Sequence, residues 1–137
     1  MSFPNKYDLI ITNPPFFSNS LLGSNKEKNL ARHTHLLSTE DLYKTVEEYL
    51  TVNGYFSILL PTIEFNLFDT FMSGKGWNCF HQLQIKHTST ALVKRIVGLF
   101  KKDIQAPPIV ETLEIYEREN VYSESFSELL QPFYLKL

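Results

Sequence analysis

The spacing of hydrophobic residues predicts two buried strands in the first half of the chain. The continuous apolar run YDLIIT (7–12) is typical of a strand covered on both faces in a parallel sheet. Asn13-Pro14-Pro15 must end this strand, because neither proline can donate a ladder hydrogen bond. The run YFSILL (55–60), closed by Pro61, predicts a second buried strand.

A helical pattern follows each of these strands. Ser38 is predicted to cap the first helix, with Asp41 as an acidic partner three residues on, and Asn53-Gly54 is expected to stop it. The second helix is predicted over Glu64 to Ser73. The inner faces of the two helices are predicted to carry Leu42, Val46, Tyr49, Leu50, Phe65, Phe68, Phe71 and Met72. Strand, helix, strand, helix implies crossover connections and a parallel sheet.

The pattern changes in the second half of the chain. Residues 77–87 and 93–102 alternate more strongly and are joined by a short linker, which predicts an antiparallel pair at the sheet edge. Residues 110–117 are a further candidate strand, and residues 125–137 are predicted to form a C-terminal helical turn. The polar, glycine-containing stretch 18–29 is predicted to be a surface loop.

Length, charge and cysteine content narrow the class of protein. The chain has 137 residues, so we expect a single domain with a sizeable core. A net charge of −2 argues against a strongly basic, nucleic-acid-coated surface but not against a local basic patch. The single cysteine, Cys79, excludes an internal disulfide and is predicted to lie in or near the core. No secretion signal and no apolar run of roughly 20 residues is visible, which predicts a cytoplasmic protein with no membrane contact.

The segment Asn13-Pro14-Pro15-Phe16 has the chemistry that methylation of a ring-attached amine requires. The lone pair of such an amine is delocalised into the ring, so two hydrogen-bond acceptors must hold the amine hydrogens and aim the lone pair at the methyl donor. Asn13 offers a side-chain carbonyl oxygen and Pro14 a backbone carbonyl. Phe16 can stack on the base, and the prolines keep the acceptors in place before substrate arrives.

A purely structural interpretation of the same residues is also open. Asn-Pro and Pro-Pro are common turn formers, and Phe16 and Phe17 can be core aromatics. The position of the motif favours the functional interpretation, because a buried strand delivers it to the carboxyl end of a predicted α/β sheet. That is where such sheets bind their ligands.

YDLIITNPPFF (7–17) resembles the fourth strand and catalytic loop of class I S-adenosylmethionine-dependent methyltransferases that act on amino groups. More narrowly, residues 30–43, 55–61 and 133–137 are similar to bacterial tRNA (adenine-N6) methyltransferases that modify position 37 of valine tRNA. The resemblance implies that Asn13 and Pro14 orient the adenine amine, that Pro15 belongs to the same catalytic corner, and that Phe16 stacks on the base. It also implies that Asn13 faces the S-adenosylmethionine cofactor.

The resemblance covers only the C-terminal half of such an enzyme. None of the five glycines precedes the Asn-Pro-Pro motif, so the glycine-rich cofactor loop and the first three strands of the family are absent from this sequence. We therefore expect residues 1–137 to be the C-terminal part of a methyltransferase domain, inactive alone. Strand 7–12 would be an open apolar edge, predicted to be covered by a second copy or by a separately supplied N-terminal half.

Basic residues suggest where tRNA could bind. Arg32 and His33 form one group of candidate phosphate contacts, and Lys94 and Arg95 form another on the presumed edge pair. Both groups can equally be solvated surface. The spacing of the four histidines and Cys79 predicts no metal site.

Other functions remain compatible with the sequence. The Asn-Pro-Pro motif is shared by methyltransferases acting on adenine in DNA, guanine N2 in ribosomal RNA and glutamine in proteins. A non-catalytic RNA-binding or assembly module that keeps the motif as a turn is a further alternative.

Overall fold

A computed structural model describes residues 5–15 and 38–137 of the chain. A five-stranded mixed sheet is built from β1 (Tyr7–Thr12), β2 (Leu50–Pro61), β3 (Trp77–Lys86), β4 (Val93–Lys102) and β5 (Ile109–Glu114). Its spatial order is β1-β2-β4-β3-β5, with β1 parallel to β2 and β5 parallel to β3. A separate antiparallel hairpin follows, formed by β6 (Tyr116–Arg118) and β7 (Val121–Tyr122).

The described helices are α1 (Thr39–Tyr49), α2 (Thr62–Gly74) and α3 (Glu124–Leu130), the last followed by a 3₁₀ turn over Gln131–Phe133. As predicted, Ser38 caps α1, since its hydroxyl oxygen accepts a 3.1 Å hydrogen bond from the Asp41 amide. The C-terminal helical turn is also confirmed. None of the helices in the described ranges is long and apolar enough to cross a membrane.

The core lies on one face of the sheet, beneath α1 and α2. Phe56 and Phe100 of the sheet meet Phe65 and Phe68 of α2 with ring centroids 5.7–6.0 Å apart. The predicted inner face of α2 is therefore confirmed. The remaining buried apolar side chains of this core include Leu42, Val46, Leu50, Ile58, Leu60, Met72, Trp77, Cys79 and Ile96.

A partly buried carboxylate group, that of Glu47, ties α1 to the sheet. Glu47 accepts hydrogen bonds from the Trp77 indole at 2.8 Å and from the Lys102 ammonium at 3.0 Å. Burial acts to raise the pKa of Glu47, but these two donors outweigh it and leave the pKa lowered. Trp77 thus anchors the start of β3 through a polar contact to α1 as well as by burial.

The structure corrects where α1 ends. Asn53-Gly54 does not stop the helix; α1 ends at Tyr49 and β2 already begins at Leu50. The β-branched residues Thr51 and Val52 favour extended backbone, which ends the helix early. Leu50 then folds back over Gly54, where an added Cβ would lie 2.6 Å from its Cγ.

The antiparallel pair is confirmed but does not lie at the edge of the sheet. β4 is inserted between β2 and β3, and β5 adds to the outer side of β3. The candidate strand 110–117 accounts for this difference, because it supplies β5 before turning into the β6–β7 hairpin. The exposed edge on the other side of the sheet is β1, which pairs only with β2 within the described residues.

Replacing Gly98 by alanine is expected to destabilise the fold by about 1–3 kcal/mol. A Cβ at this position would lie 2.4 Å from Cε2 of Phe65, whose ring is fully buried and has no room to move. Urea unfolding of the chain measures the change.

Gly74→Ala is the matched control. Nothing lies within 4 Å of a Cβ built at Gly74, and alanine suits a helix better than glycine, so this variant should be unchanged or slightly stabilised. Equal stability of the two variants would contradict the described contact between α2 and β4.

Candidate active site

The Asn-Pro-Pro corner lies at the carboxyl end of β1. The parallel pairing aligns Ile10 with Phe56 and Thr12 with Ile58. β1 therefore ends close to the carboxyl end of the neighbouring strand β2. Pro14 is buried, whereas Asn13 and Pro15 on either side of it are exposed. The buried ring fixes the corner to the sheet and leaves the flanking residues facing outward.

The amide of Asn13 is not used to hold the fold of the described residues. No hydrogen bond joins its side chain to another residue in the ranges 5–15 and 38–137. Continuing the register of β1 and β2 places Asn13 beside Leu59, on the sheet face opposite α2. Its carbonyl oxygen is therefore positioned as a hydrogen-bond acceptor at the carboxyl end of β1.

Asp8, earlier in β1, has a structural partner. Its carboxylate accepts a 2.9 Å hydrogen bond from the Thr51 hydroxyl, across the irregular start of the β1–β2 pairing. This contact fixes the beginning of β1, in keeping with a role at the strand start.

Several predicted site residues lie outside the described residues. These are Phe16 of the corner, its neighbour Phe17, and the basic candidates Arg32 and His33. The stacking role that the resemblance gives to Phe16 and the tRNA contacts predicted for Arg32 and His33 stay predictions.

Lys94 and Arg95 lie at the same end of the sheet as the corner, on the central strand β4. Because β4 is antiparallel to β2, its start faces the carboxyl end of β2, where Pro61 pairs with Arg95. Two strand spacings, or roughly 10 Å, separate β4 from β1. Both cations are exposed and neither forms an ion pair with another described residue. The structure thus brings these two predicted contacts near Asn13.

An open groove of about 580 Å³ adjoins these cations, on the face of the sheet opposite α1 and α2. Its floor is apolar and includes Leu59, Leu83 and Leu113 from three strands, β2, β3 and β5. Phe126 of α3 and Tyr134 after it form the facing wall.

Sequence reasoning did not find this groove. Its lining comes from segments up to about 70 residues apart, which only the strand order brings together. The spacing of Phe126, Leu129 and Leu130 could have indicated the groove. It predicts an apolar stripe on α3 that packs against another part of the protein.

Cys79 is unsuited to nucleophilic chemistry. Burial, with a further contribution from the nearby Asp69 carboxylate, raises the pKa of its thiol to about 11. The predicted core position of Cys79 is confirmed. Within the described residues, no three His, Cys, Asp or Glu side chains form a group that could hold a metal ion.

Comparison with known proteins supports the resemblance stated from the sequence. The chain is 37% identical over 135 residues to the tRNA1(Val) (adenine(37)-N6)-methyltransferase of Dyadobacter fermentans, covering 96% of this chain and 56% of that protein. It is 36% identical over 132 residues to the protein of the same name from Pseudoalteromonas translucida, with the same two coverages. No family model matches the chain.

The fold is that of a known methyltransferase structure. A predicted O-methyltransferase from Agrobacterium tumefaciens superposes with a TM-score of 0.64 at 13% identity, over 91% of this chain and 51% of that protein. The predicted α/β fold is therefore confirmed, with a partly parallel sheet and an antiparallel strand pair. The chain spans about half the length of the curated relatives it matches.

Cys79 is expected to resist alkylation in the folded protein. At pH 8 a thiol with a pKa of about 11 is almost entirely protonated, and only the thiolate reacts. Iodoacetamide labelling followed by mass spectrometry should detect little product without denaturant and complete labelling in 8 M urea, which serves as the control. Rapid labelling of the native chain would contradict the buried position.

Proposed function

We propose that this chain forms part of an enzyme that transfers a methyl group from S-adenosylmethionine to N6 of adenine at position 37 of valine tRNA. The names of the two relatives support this substrate. The observation that carries the proposal is the exposed Asn13 amide at the carboxyl end of β1, with no hydrogen bond to another described residue.

In this proposal the corner positions the amine. The Asn13 side-chain oxygen accepts one N6 hydrogen and the Pro14 carbonyl accepts the other, which draws the nitrogen lone pair out of conjugation with the ring. Pro15 stiffens the corner and Phe16 stacks on the adenine. The proton leaves to solvent after the nitrogen has become cationic, so no general base is needed beside Asn13.

The chain by itself does not supply a complete cofactor site. S-adenosylmethionine would provide an electrophilic methyl group, with Asn13 as the residue of this chain that faces it. The sequence has no glycine before Asn13, so a glycine-rich loop preceding the corner has to come from elsewhere.

The uncovered strand β1 also supports the proposal that another segment or chain completes the site. Leu9 and Ile11 point to the sheet face opposite α2 and are 51% and 71% exposed, so the prediction that this strand is covered on both faces is wrong for the described residues. No described segment packs over them. We propose that residues 1–137 are the C-terminal part of a single methyltransferase domain. An N-terminal half, or a second copy of the chain, covers this edge. The chain alone is then inactive, and the assembled enzyme works in the cytoplasm on tRNA.

Asn13→Ala is expected to lower methyl transfer by about 100-fold or more, because one of the two acceptors that orient the amine is lost. The test uses a chimaera that joins the uncovered part of the Dyadobacter fermentans relative to the start of this chain. Labelled S-adenosylmethionine and unmodified valine tRNA report transfer, and nucleoside analysis reports the position of the methyl group.

Asn53→Ala, the same change at an exposed position of β2, is the control and should keep full activity. The affinity of Asn13→Ala for tRNA should stay within about twofold. Unaltered transfer by Asn13→Ala would refute the role of the corner. Transfer to DNA or to a protein glutamine but not to tRNA would identify a different amino substrate. Transfer by the 137-residue chain without the added half would refute its proposed inactivity.

Lys94 and Arg95 are proposed to contact tRNA phosphates, together with Arg32 and His33. Arg95→Ala in the chimaera should weaken tRNA binding and reduce the slope of log affinity against log salt by about 0.7–0.9, the value for one phosphate contact. Fluorescence anisotropy at several salt concentrations measures both effects. Lys44→Ala removes an equal charge from the exposed side of α1, across the sheet, and should leave the slope unchanged. Equal slopes for the two variants would rule out a phosphate contact at Arg95.

A further inference from the structure

A column of four aromatic rings runs beside the groove. The His87 ring lies 4.7 Å from Tyr116, and Tyr116 stacks on Tyr122 with centroids 5.0 Å apart and planes only 18° apart. Tyr122 in turn stacks on Phe126 of α3 at 5.0 Å. His87 and Tyr122 are exposed, so the column is not part of the core.

Both ends of this column open into the groove. His87 and Phe126 line it together with the apolar floor and three cations, Lys86, Lys94 and Arg95. The floor residue Leu59 is the position that register places beside Asn13, so the groove begins one strand away from the proposed amine-binding corner and on the same face.

The charge of the groove differs from that of the whole chain. The protein carries a net charge of −2, yet no Asp or Glu of the described residues lines the groove. An apolar helix or strand docked there would bury cations without partners, which is costly. A phosphate backbone would neutralise them, and the apolar floor and rings would accept the flat face of a base.

We propose that this groove binds an unpaired nucleotide of the RNA substrate, one that neighbours the target adenine. Its base lies on the apolar floor against His87, and its phosphates face Lys94 and Arg95. The inference rests on the proposed function, because it takes the substrate to be RNA. It adds a second recognition site that selects single-stranded RNA, since a base held in a duplex cannot present its face to a ring.

The test measures RNA binding by the 137-residue chain, without methyl transfer. Fluorescence anisotropy compares a labelled single-stranded decamer of adenosine with a blunt ten-base-pair RNA duplex. His87→Ala is expected to weaken binding of the decamer by about 5- to 100-fold, the range for loss of one stacked base. Duplex binding should change by less than about twofold. His87→Tyr should bind the decamer like the wild-type chain, because it keeps a stacking ring.

His81→Ala is the matched control. His81 lies on β3 with His87 just beyond its end, but it pairs with Glu111 at 2.6 Å and does not line the groove. This variant should bind both RNAs like the wild-type chain. Thermal unfolding of each variant separates loss of binding from loss of fold. If His87→Ala fails to fold, photo-crosslinking of an iodouridine-substituted decamer to the wild-type chain replaces it, and the cross-linked peptides should include His87 or Phe126.

The inference would be overturned if the wild-type chain did not bind the decamer, or if His87→Ala lost decamer and duplex binding equally. It would also be overturned if His87→Tyr bound the decamer as weakly as His87→Ala. Loss of decamer binding on joining the N-terminal half in the chimaera would also overturn it, by showing that the groove is an internal interface. None of these results bears on whether Asn13 is needed for methyl transfer, so the two proposals fail separately.

Discussion

The parallel ladder between β1 and β2 is the interaction on which the site depends. It is the only strand pairing of β1 within the described residues, and it fixes both the height and the direction at which the chain leaves the sheet. Thr12 opposite Ile58 sets Pro14 against the core and Asn13 away from it. β2 is in turn held by the phenylalanine cluster of α2 and β4, so the position of Asn13 is determined by packing on the opposite face of the sheet.

One geometric rule then brings the remaining chemistry to the same place. Neighbouring parallel strands finish at the same end of a sheet, and an antiparallel neighbour begins at that end. The carboxyl ends of β1 and β2 therefore meet the start of β4, which carries Lys94 and Arg95, and the end of β3, which leads to His87. The Asn13-Pro14 corner, the cations Lys94 and Arg95, and the His87 ring therefore lie at one end of the sheet. About 80 residues of sequence separate the corner from these cations.

Local signals in the sequence were sufficient for the parts of the fold that depend on neighbouring residues. The Ser38 cap, the buried face of α2 and the strand ending at Asn13 each follow from spacing over a few residues. The start of β2 was not predicted, because Asn53-Gly54 has the composition of a helix stop. The β-branched Thr51 and Val52 and the packing of Leu50 over Gly54 instead place these residues in a strand. The pairing of β5 with β3, and the groove between the sheet and α3, depend on strand order, which the spacing of residues along the chain does not reveal.

The central claim is that the Asn13-Pro14 corner holds the amine of an adenine. The most direct measurement is a crystal structure of the chimaera with S-adenosylhomocysteine and adenosine. We expect the Asn13 side-chain oxygen and the Pro14 carbonyl oxygen both to lie about 3 Å from adenine N6. Adenosine bound elsewhere, or an Asn13 amide turned inward and bonded to the fold, would contradict it.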